Sequence, residues 1–383
     1  MPEVSVGFGH VWWLFGPPSV GKSATAWQLF AEVLRGEPRG YVDVDQVGMC
    51  YPEPADDPGR YALKARALGL VVRRFIGSGA RKVVISGVAD ETSMATFVEK
   101  VHPARVTFCR LQVDPVELER RLRSRYSPDD VARALAEADA WDRRDPDALS
   151  FDTGMGTPLD VALRVVEAIR SEAPPLDRSP SDFRRAAAEL PAVGEGRAFL
   201  VCGPTGVGKS SVGFGVFNSL LADGRTAAYL DLQQLGFLED LPDDAPGSVE
   251  VSAGCVADLW KQYRSAGASD LILSGRLGSA SDVQGYRDVL GATSLIVCQL
   301  RADSESLRDR ILSRTRGGGP MLAGDTREGL SVAGANTVLR EALIEQERLA
   351  TADVADLTLD TDDESVEAVV RRARTAFDSL STS

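Results

Sequence analysis

The chain has 383 residues, 44% of them hydrophobic, and a formal net charge of −13. That length and apolar content support one or two ordinary cores and point to two domains. No apolar run approaches the ~18–20 residues of a membrane span. Residues 1–172 carry 22 basic and 25 acidic side chains and residues 173–383 carry 21 and 31, so neither half offers the basic surface of a nonspecific nucleic-acid binder.

The opening stretch, MPEVSVGFGHVWWLF, lacks a basic leader and an A-x-A site, and reads as a core strand rather than a signal peptide. The five cysteines are scattered without a C-x-x-C pair, the usage of a reducing, cytoplasmic protein. Only His10 and His102 are present, which argues against a histidine-based zinc site.

VWWLF runs into Gly16–Ser23, GPPSVGKS, followed by helical ATAWQLFAEVLRG. Gly16, Gly21, Lys22 and Ser23 fill the fixed places of G-x-x-x-x-G-K-[ST], with Ser19 and Val20 inside the loop. Glycines let the backbone wrap tightly and turn its N–H groups toward a phosphate. The lysine adds a positive charge at the β- and γ-phosphates, and the serine hydroxyl is a Mg²⁺ ligand. A strand, such a loop and a helix N-terminus together make an anion site.

The pattern returns 187 positions later. RAFLVC precedes GPTGVGKS at Gly203–Ser210, and an apolar-striped helix follows, beginning at Ser211 and ending at Gly224. Gly203, Gly206, Val207, Gly208, Lys209, Ser210 and Ser211 are the second set of phosphate-binding candidates. A chance glycine-rich turn is a poor explanation for two loops with the same flanks.

The intervening stretches repeat in register. GYVDVDQVGMCYP (40–52) matches AYLDLQQLGFLED (228–240), with Tyr41, Asp43, Gln46 and Gly48 against Tyr229, Asp231, Gln234 and Gly236. RYALKARALGLVVRRFIGSGA (60–80) reads as a helix, with CVADLWKQYRSAGA (255–268) as its counterpart. KVVISG (82–87) and DLILSG (270–275) are continuous apolar strands of the kind buried in parallel sheets. Residues 104–125 and 293–314 each read as a strand and an Arg-rich helix, and LSFDT (149–153) pairs with LTLDT (357–361). The expected fold is α/β: two tandem P-loop NTPase domains, each a five-stranded, mostly parallel sheet sandwiched by helices. The expected boundaries are a domain at 1–172, a Pro- and charge-rich linker at 173–195, and a second domain at 196–383. The second half has 19 more residues between Arg314 and Asp360 than the first has between Arg125 and Asp152, including TRGGGPMLAGDTREG (315–329). That insertion reads as a mobile Gly-rich flap or a disordered loop.

Phosphoryl transfer requires charge neutralisation, a metal and an oriented nucleophile. Lys22 and Lys209 supply the first, and Ser23 with Asp43 and Ser210 with Asp231 are the metal candidates. Asp45 lies two residues beyond Asp43, so on a strand both carboxylates would face one cleft. Gln233 stands at the matching place and cannot act as a base. The plainer alternative makes these acids strand-end turn residues. Arg121 and Arg125 recur in register as Arg310 and Arg314, at a spacing that shares one helix face. They are candidate phosphate contacts, with a solvated basic face as the alternative. For Arg60 and Lys64 a charged helix face is the favoured reading over a substrate anion site. Trp12, Trp13, Trp141 and Trp260 are assigned to the core.

The order GPPSVGKS, VDVD, VVISG, LERRLRSR, FDT resembles the small P-loop kinases of the shikimate, gluconate, adenylylsulfate and chloramphenicol phosphotransferase type, in the nucleoside-monophosphate-kinase-like group. The second half, GPTGVGKSS…YLDLQQLGFL, is also similar to P-loop ATP-binding proteins common in actinobacteria. The resemblance implies that Asp43 and Asp45 serve Mg²⁺ and the acceptor hydroxyl. It also implies that the helices bearing Arg121, Arg125, Arg310 and Arg314 lead into a lid. The chain departs from that pattern at Gln233 and at Ser19, where a glycine is frequent. Neither KVVISG nor DLILSG ends in the Asp of a full Walker B motif.

The expectation is therefore an ATP- and Mg²⁺-dependent kinase acting on the hydroxyl of a small molecule, with one half catalytic and the other catalytic, regulatory or structural. A non-catalytic, nucleotide-dependent regulatory protein is the main alternative, and a nucleotide or polynucleotide kinase a further one. A homodimer is an open form of assembly.

Overall fold

The computed structural model describes residues 9–142, 149–171, 195–319 and 322–380. Apart from Glu195, the linker expected at 173–195 lies outside the described residues. The first half runs β1 (His10–Phe15), α1 (Lys22–Gln28), β2 (Arg39–Asp43), β3 (Cys50–Tyr51) and α2 (Tyr61–Gly77). It continues through β4 (Lys82–Ser86), α3 (Glu91–Val101), β5 (Arg105–Gln112), α4 (Pro115–Arg123), α5 (Pro128–Asp142), β6 (Leu149–Asp152) and α6 (Pro158–Ser171). The second half runs β7 (Gly196–Cys202), α7 (Lys209–Ala222), β8 (Ala227–Asp231), β9 (Phe237–Glu239), α8 (Ser248–Ser265) and β10 (Asp270–Ser274). It ends with α9 (Ala280–Leu290), β11 (Thr293–Arg301), α10 (Ser304–Thr315), α11 (Val332–Ala352), β12 (Leu357–Asp360) and α12 (Val366–Leu380).

The strands make two six-stranded sheets, ordered β6-β5-β1-β4-β2-β9 and β12-β11-β7-β10-β8-β3. In each, five strands are parallel and the sixth, at one edge, is antiparallel. The apolar strand β1 sits between β5 and β4, and Val11–Phe15 are buried, as helix-covered parallel strands require. Central β7 repeats the arrangement between β11 and β10. Trp12, Trp13, Trp141 and Trp260 are core residues, and the five cysteines are buried and outside any disulfide.

The sixth strands were not assigned from sequence, and their origin is unexpected. Each sheet takes its antiparallel edge from the other half of the chain. The described residues form two compact units, one comprising residues up to Gly48, those from Arg60 to 171, and Gly236–Pro246. The other comprises Met49–Gly59, residues 195–235, and those from Gly247 onward.

In the first unit, β9 pairs with β2, Phe237 opposite Tyr41. The Phe237 ring packs among Trp27, Phe30 and Tyr41, with centroids 5.0, 6.1 and 5.9 Å away. Asp240 pairs with Arg39 and accepts the Gly36 N–H at 2.8 Å. In the second unit, β3 pairs with β8, the Tyr229 N–H donating to the Met49 carbonyl at 2.9 Å. There the Tyr51 ring lies 6.2 Å from that of Phe217. Each borrowed strand thus carries an aromatic anchor into the sheet that it closes.

The helices that frame the sites start on chemical signals shared by both units. The Asp114 carboxylate accepts the Val116 N–H at 2.9 Å at the head of α4, and Asp303 accepts the Ser306 N–H at 2.7 Å at the head of α10. No helix among the described residues is long and apolar enough to cross a membrane.

Candidate functional site

Both glycine-rich loops leave the carboxyl end of a central strand and enter a helix, where open α/β sheets bind ligands. At the first glycine of each, φ is +147° (Gly16) and +144° (Gly203). A Cβ there would run into the carbonyl of Leu111 or Leu300, so only glycine fits. Ser19 adopts φ +60°, where the second loop has Gly206 at +88°. A serine held left-handed costs about 1 kcal/mol or more, and its Oγ is buried without a hydrogen-bond partner. Gly21 and Gly208 cap α1 and α7 in the same left-handed conformation.

The loop lysines are drawn inward. Lys22 Nζ donates to the carbonyls of Gly16 (2.9 Å) and Pro17 (2.8 Å), and Lys209 Nζ to Pro204 (2.8 Å). Burial lowers the pKa of both, that of Lys209 to about 8. The strongest opposing charge at Lys22 is Asp45, and at Lys209 it is Glu345.

Each loop serine meets the acid that ends the second strand of its sheet. Ser23 Oγ donates to Asp43 at 3.1 Å and Ser210 Oγ to Asp231 at 2.6 Å. A second serine backs each acid: Ser86 donates to Asp43 at 2.7 Å and Ser274 to Asp231 at 3.4 Å. Tyr41 and Tyr229 hydroxyls lie 2.9 and 2.7 Å from those serines. Burial, followed by the charge of Asp45, raises the pKa of Asp43.

Ser86 and Ser274, with their tyrosines, were missed in the sequence. Their signal was the repeat itself, since both pairs recur at an offset of 188. Serine stands where a full Walker B motif would end in Asp.

Two expectations need correction. Asp45 does not share a strand face with Asp43, because β2 ends at Asp43 and Asp45 lies in the following turn. The Asp43 carboxylate accepts the Asp45 N–H at 2.9 Å, and Asp231 accepts that of Gln233 at 2.9 Å; these are aspartate-initiated turns. Nor are Arg60 and Lys64 a solvated helix face. Both are buried; Arg60 donates to the Gly48 carbonyl, and Lys64 Nζ lies 3.0 Å from Asp45 Oδ1. The apolar stripe of α2 is wide enough to take Lys64 under with it, and Arg60 lies in the turn just before the helix.

The arginine pairs divide. Arg121 and Arg310 are equivalent, each donating to a loop carbonyl, Val20 (3.4 Å) or Val207 (3.2 Å), and to Thr153 or Thr361. They tie the fifth-strand turn and the Arg-rich helix to the loop. Val20 and Val207 are themselves buried, while Ser211 is exposed on α7. Arg125 lies just past α4, exposed. Arg314, by contrast, donates to Asp325 at 2.6 Å and to the Gly318 carbonyl at 2.8 Å.

Asp325 lies in the insertion read as a flap, and the described part of that insertion is pinned. Asp325 also takes Arg327 at 2.7 Å, Gly329 N–H donates to the Thr315 carbonyl at 2.9 Å, and Gln234 reaches the Ala323 carbonyl at 3.0 Å. Against the upward pull of burial, hydrogen bonds from Arg327 and Arg314 hold the Asp325 carboxyl far below its ordinary pKa.

The second site has a feature that no sequence signal marked. Glu345, on α11, accepts the Thr205 N–H at 3.0 Å and its hydroxyl at 3.3 Å, while its other oxygen takes Arg276 Nε at 2.8 Å. Its side chain is 10% exposed. It borders a cavity of about 320 Å³ shared with Arg276, Leu277, Ile344 and Arg348. In the first loop Pro18 occupies the place of Thr205 and has no N–H to offer.

The donor set fits a nucleotide with Mg²⁺. Among the described residues no three His, Cys, Asp or Glu side chains converge as a metal cage. Mg²⁺ does not require one, since it keeps several waters and binds through one or two protein oxygens plus substrate phosphates. Each Ser–Asp pair supplies those oxygens beside the loop lysine.

No protein-family model and no curated protein matches the chain. Among solved structures, shikimate kinase from Acinetobacter baumannii aligns over 49% of this chain and 96% of its own, at 18% identity and a TM-score of 0.32. The tunicamycin resistance protein of Deinococcus radiodurans aligns over 47% and 95%, at 16% identity and a TM-score of 0.31. A gluconokinase from Sinorhizobium meliloti aligns over 44% and 99%, at 16% identity and a TM-score of 0.30.

Proposed function

We propose that this chain is an ATP-dependent phosphotransferase that moves the γ-phosphoryl group to a hydroxyl of a small molecule, and that its halves arose by tandem duplication. One observation carries the reading. At equivalent places in two sheets, a loop lysine drawn onto its own loop carbonyls stands beside a serine hydroxyl hydrogen-bonded to a strand-end aspartate. Bound ATP with Mg²⁺ supplies the activated phosphoryl group. Lys22 and Lys209 leave their own loop carbonyls to neutralise phosphate oxygens. Ser23 with Asp43 and Ser210 with Asp231 would hold the metal, which would neutralise phosphate charge. Arg121 and Arg310 keep the loop backbone in place. In the first half, Asp45 is the proton acceptor; Lys64 engages one of its oxygens and leaves acceptor capacity on the carboxylate.

The test is a panel of small hydroxyl metabolites with Mg·ATP, reading ADP formation and a phosphorylated product, beside titration calorimetry. Two nucleotide sites are expected in the wild type and one in each of Lys22→Ala and Lys209→Ala. Absence of nucleotide binding, or ATP loss without transfer to any hydroxyl compound, would count against the reading.

A further inference from the structure

We infer that the second half carries its own general base, Glu345, in place of the acid that Gln233 cannot supply. This rests on the phosphotransferase reading above. Glu345 reaches the loop from α11, a different element from the strand-end turn that carries Asp45. Its carboxylate sits on the N–H of Thr205, the third residue of the loop and one of the loop's backbone donors, the kind of group that makes an anion-binding concavity. Among charged groups it acts on Lys209 more strongly than Asp231 does, as Asp45 outweighs Asp43 at Lys22. Each half therefore sets one further acid against its loop lysine, and the two halves draw it from different places in the fold.

The surroundings suit the task. Thr205 fills one carboxylate oxygen with its N–H and hydroxyl, while Arg276 orients the other and leaves a lone pair on it for a third partner. The adjoining cavity of about 320 Å³ lies at the small end of ligand pockets. Arg348 and Glu341 give it polar walls, and Leu277 and Ile344 apolar ones. The acceptor that it fits is a compact, polar hydroxyl compound. In the step, the acceptor oxygen bonds to the γ-phosphorus as its proton passes to Glu345. The β,γ-bridging P–O bond breaks, and its electron pair leaves on ADP.

The test isolates the second site in full-length Lys22→Ala, with Mg·ATP as donor and water as acceptor. Single-turnover release of inorganic phosphate is read beside calorimetric binding of ADP. Adding Glu345→Gln, which keeps the shape and the Thr205 contact, should leave ADP affinity within about threefold and slow release by about 10²–10⁴-fold. Hydrogen exchange at Thr205 should stay protected in Glu345→Gln and rise in Glu345→Ala, which reports the contact without turnover. Release by Glu345→Gln within twofold of its parent overturns the inference, as does a parent that binds ADP yet releases no phosphate. A parent that binds no nucleotide overturns the nucleotide-binding reading itself.

Discussion

Lys64 Nζ lies 3.0 Å from Asp45 Oδ1, on a buried lysine whose helix the sequence presents as amphipathic. The acid beyond the first loop is thereby oriented by a cation. Asp45→Asn should leave ATP affinity nearly unchanged and lower turnover by about 10²–10⁴-fold. Lys64→Met keeps the packing, and because the Asp45 side chain is 61% exposed the pair contributes about 0–1 kcal/mol to stability. Steady-state kinetics with a productive acceptor checks the first, and denaturant unfolding the second. Wild-type turnover in Asp45→Asn would make Asp45 a turn residue.

Nucleotide binding at the second loop should take up protons. Burial places the Lys209 pKa at about 8, and a bound phosphate favours the ammonium form. The sign follows from linkage: the bound state holds more protons, so affinity falls as pH rises through about 8, by up to tenfold per unit. Calorimetry at pH 8 in buffers of differing ionisation enthalpy should show uptake of about half a proton in Lys22→Ala. Zero uptake would mean that Lys209 does not meet the phosphates.

The insertion in the second half should loosen when its anchor is removed. Asp325→Ala frees Arg314 and Arg327 together, and exchange across 315–329 should rise by at least tenfold. A lowered carboxylate pKa stabilises above its unfolded value near 4 and is lost only as pH falls well below it. The loop should therefore hold its protection from pH 8 to pH 5, and unequal exchange at those two pH values, after correction for intrinsic rates, would contradict this.

The borrowed strands should be structurally expensive to lose. Phe237→Ala removes the ring packed among Trp27, Phe30 and Tyr41, at a cost of about 2–4 kcal/mol to the first unit. Exchange of the β2 amides should report it, with the second unit's β10 amides unchanged. Tyr51→Ala should reverse the pattern.

The sequence made the five parallel strands legible because buried parallel strands are continuous apolar runs, and KVVISG and DLILSG have no competing reading. The loops were legible because their chemistry admits few residue types. What escaped was set by tertiary context. CY and FLE are two- and three-residue strands, too short for periodicity to mark, and pairing is fixed by a partner distant in sequence. Lys64 and Glu345 look like ordinary charges on ordinary helices; only folding brings them to Asp45 and Thr205. The Asp43–Asp45 geometry was misread because an aspartate at a strand end accepts its own turn's N–H, which ends the strand two residues before Asp45.

The exchange of edge strands bears on how the protein is made. When Asp43 leaves the ribosome, the strand that covers β2 is still about 200 residues from synthesis, a delay of about 10–40 s at ordinary translation rates. Through that interval the nascent first unit presents an open β edge, the surface by which chains join one another. The shortness of β2, five residues, limits the hazard, but translation speed and chaperone capture at this edge become determinants of yield. Expression of the first half alone would prolong the exposure indefinitely.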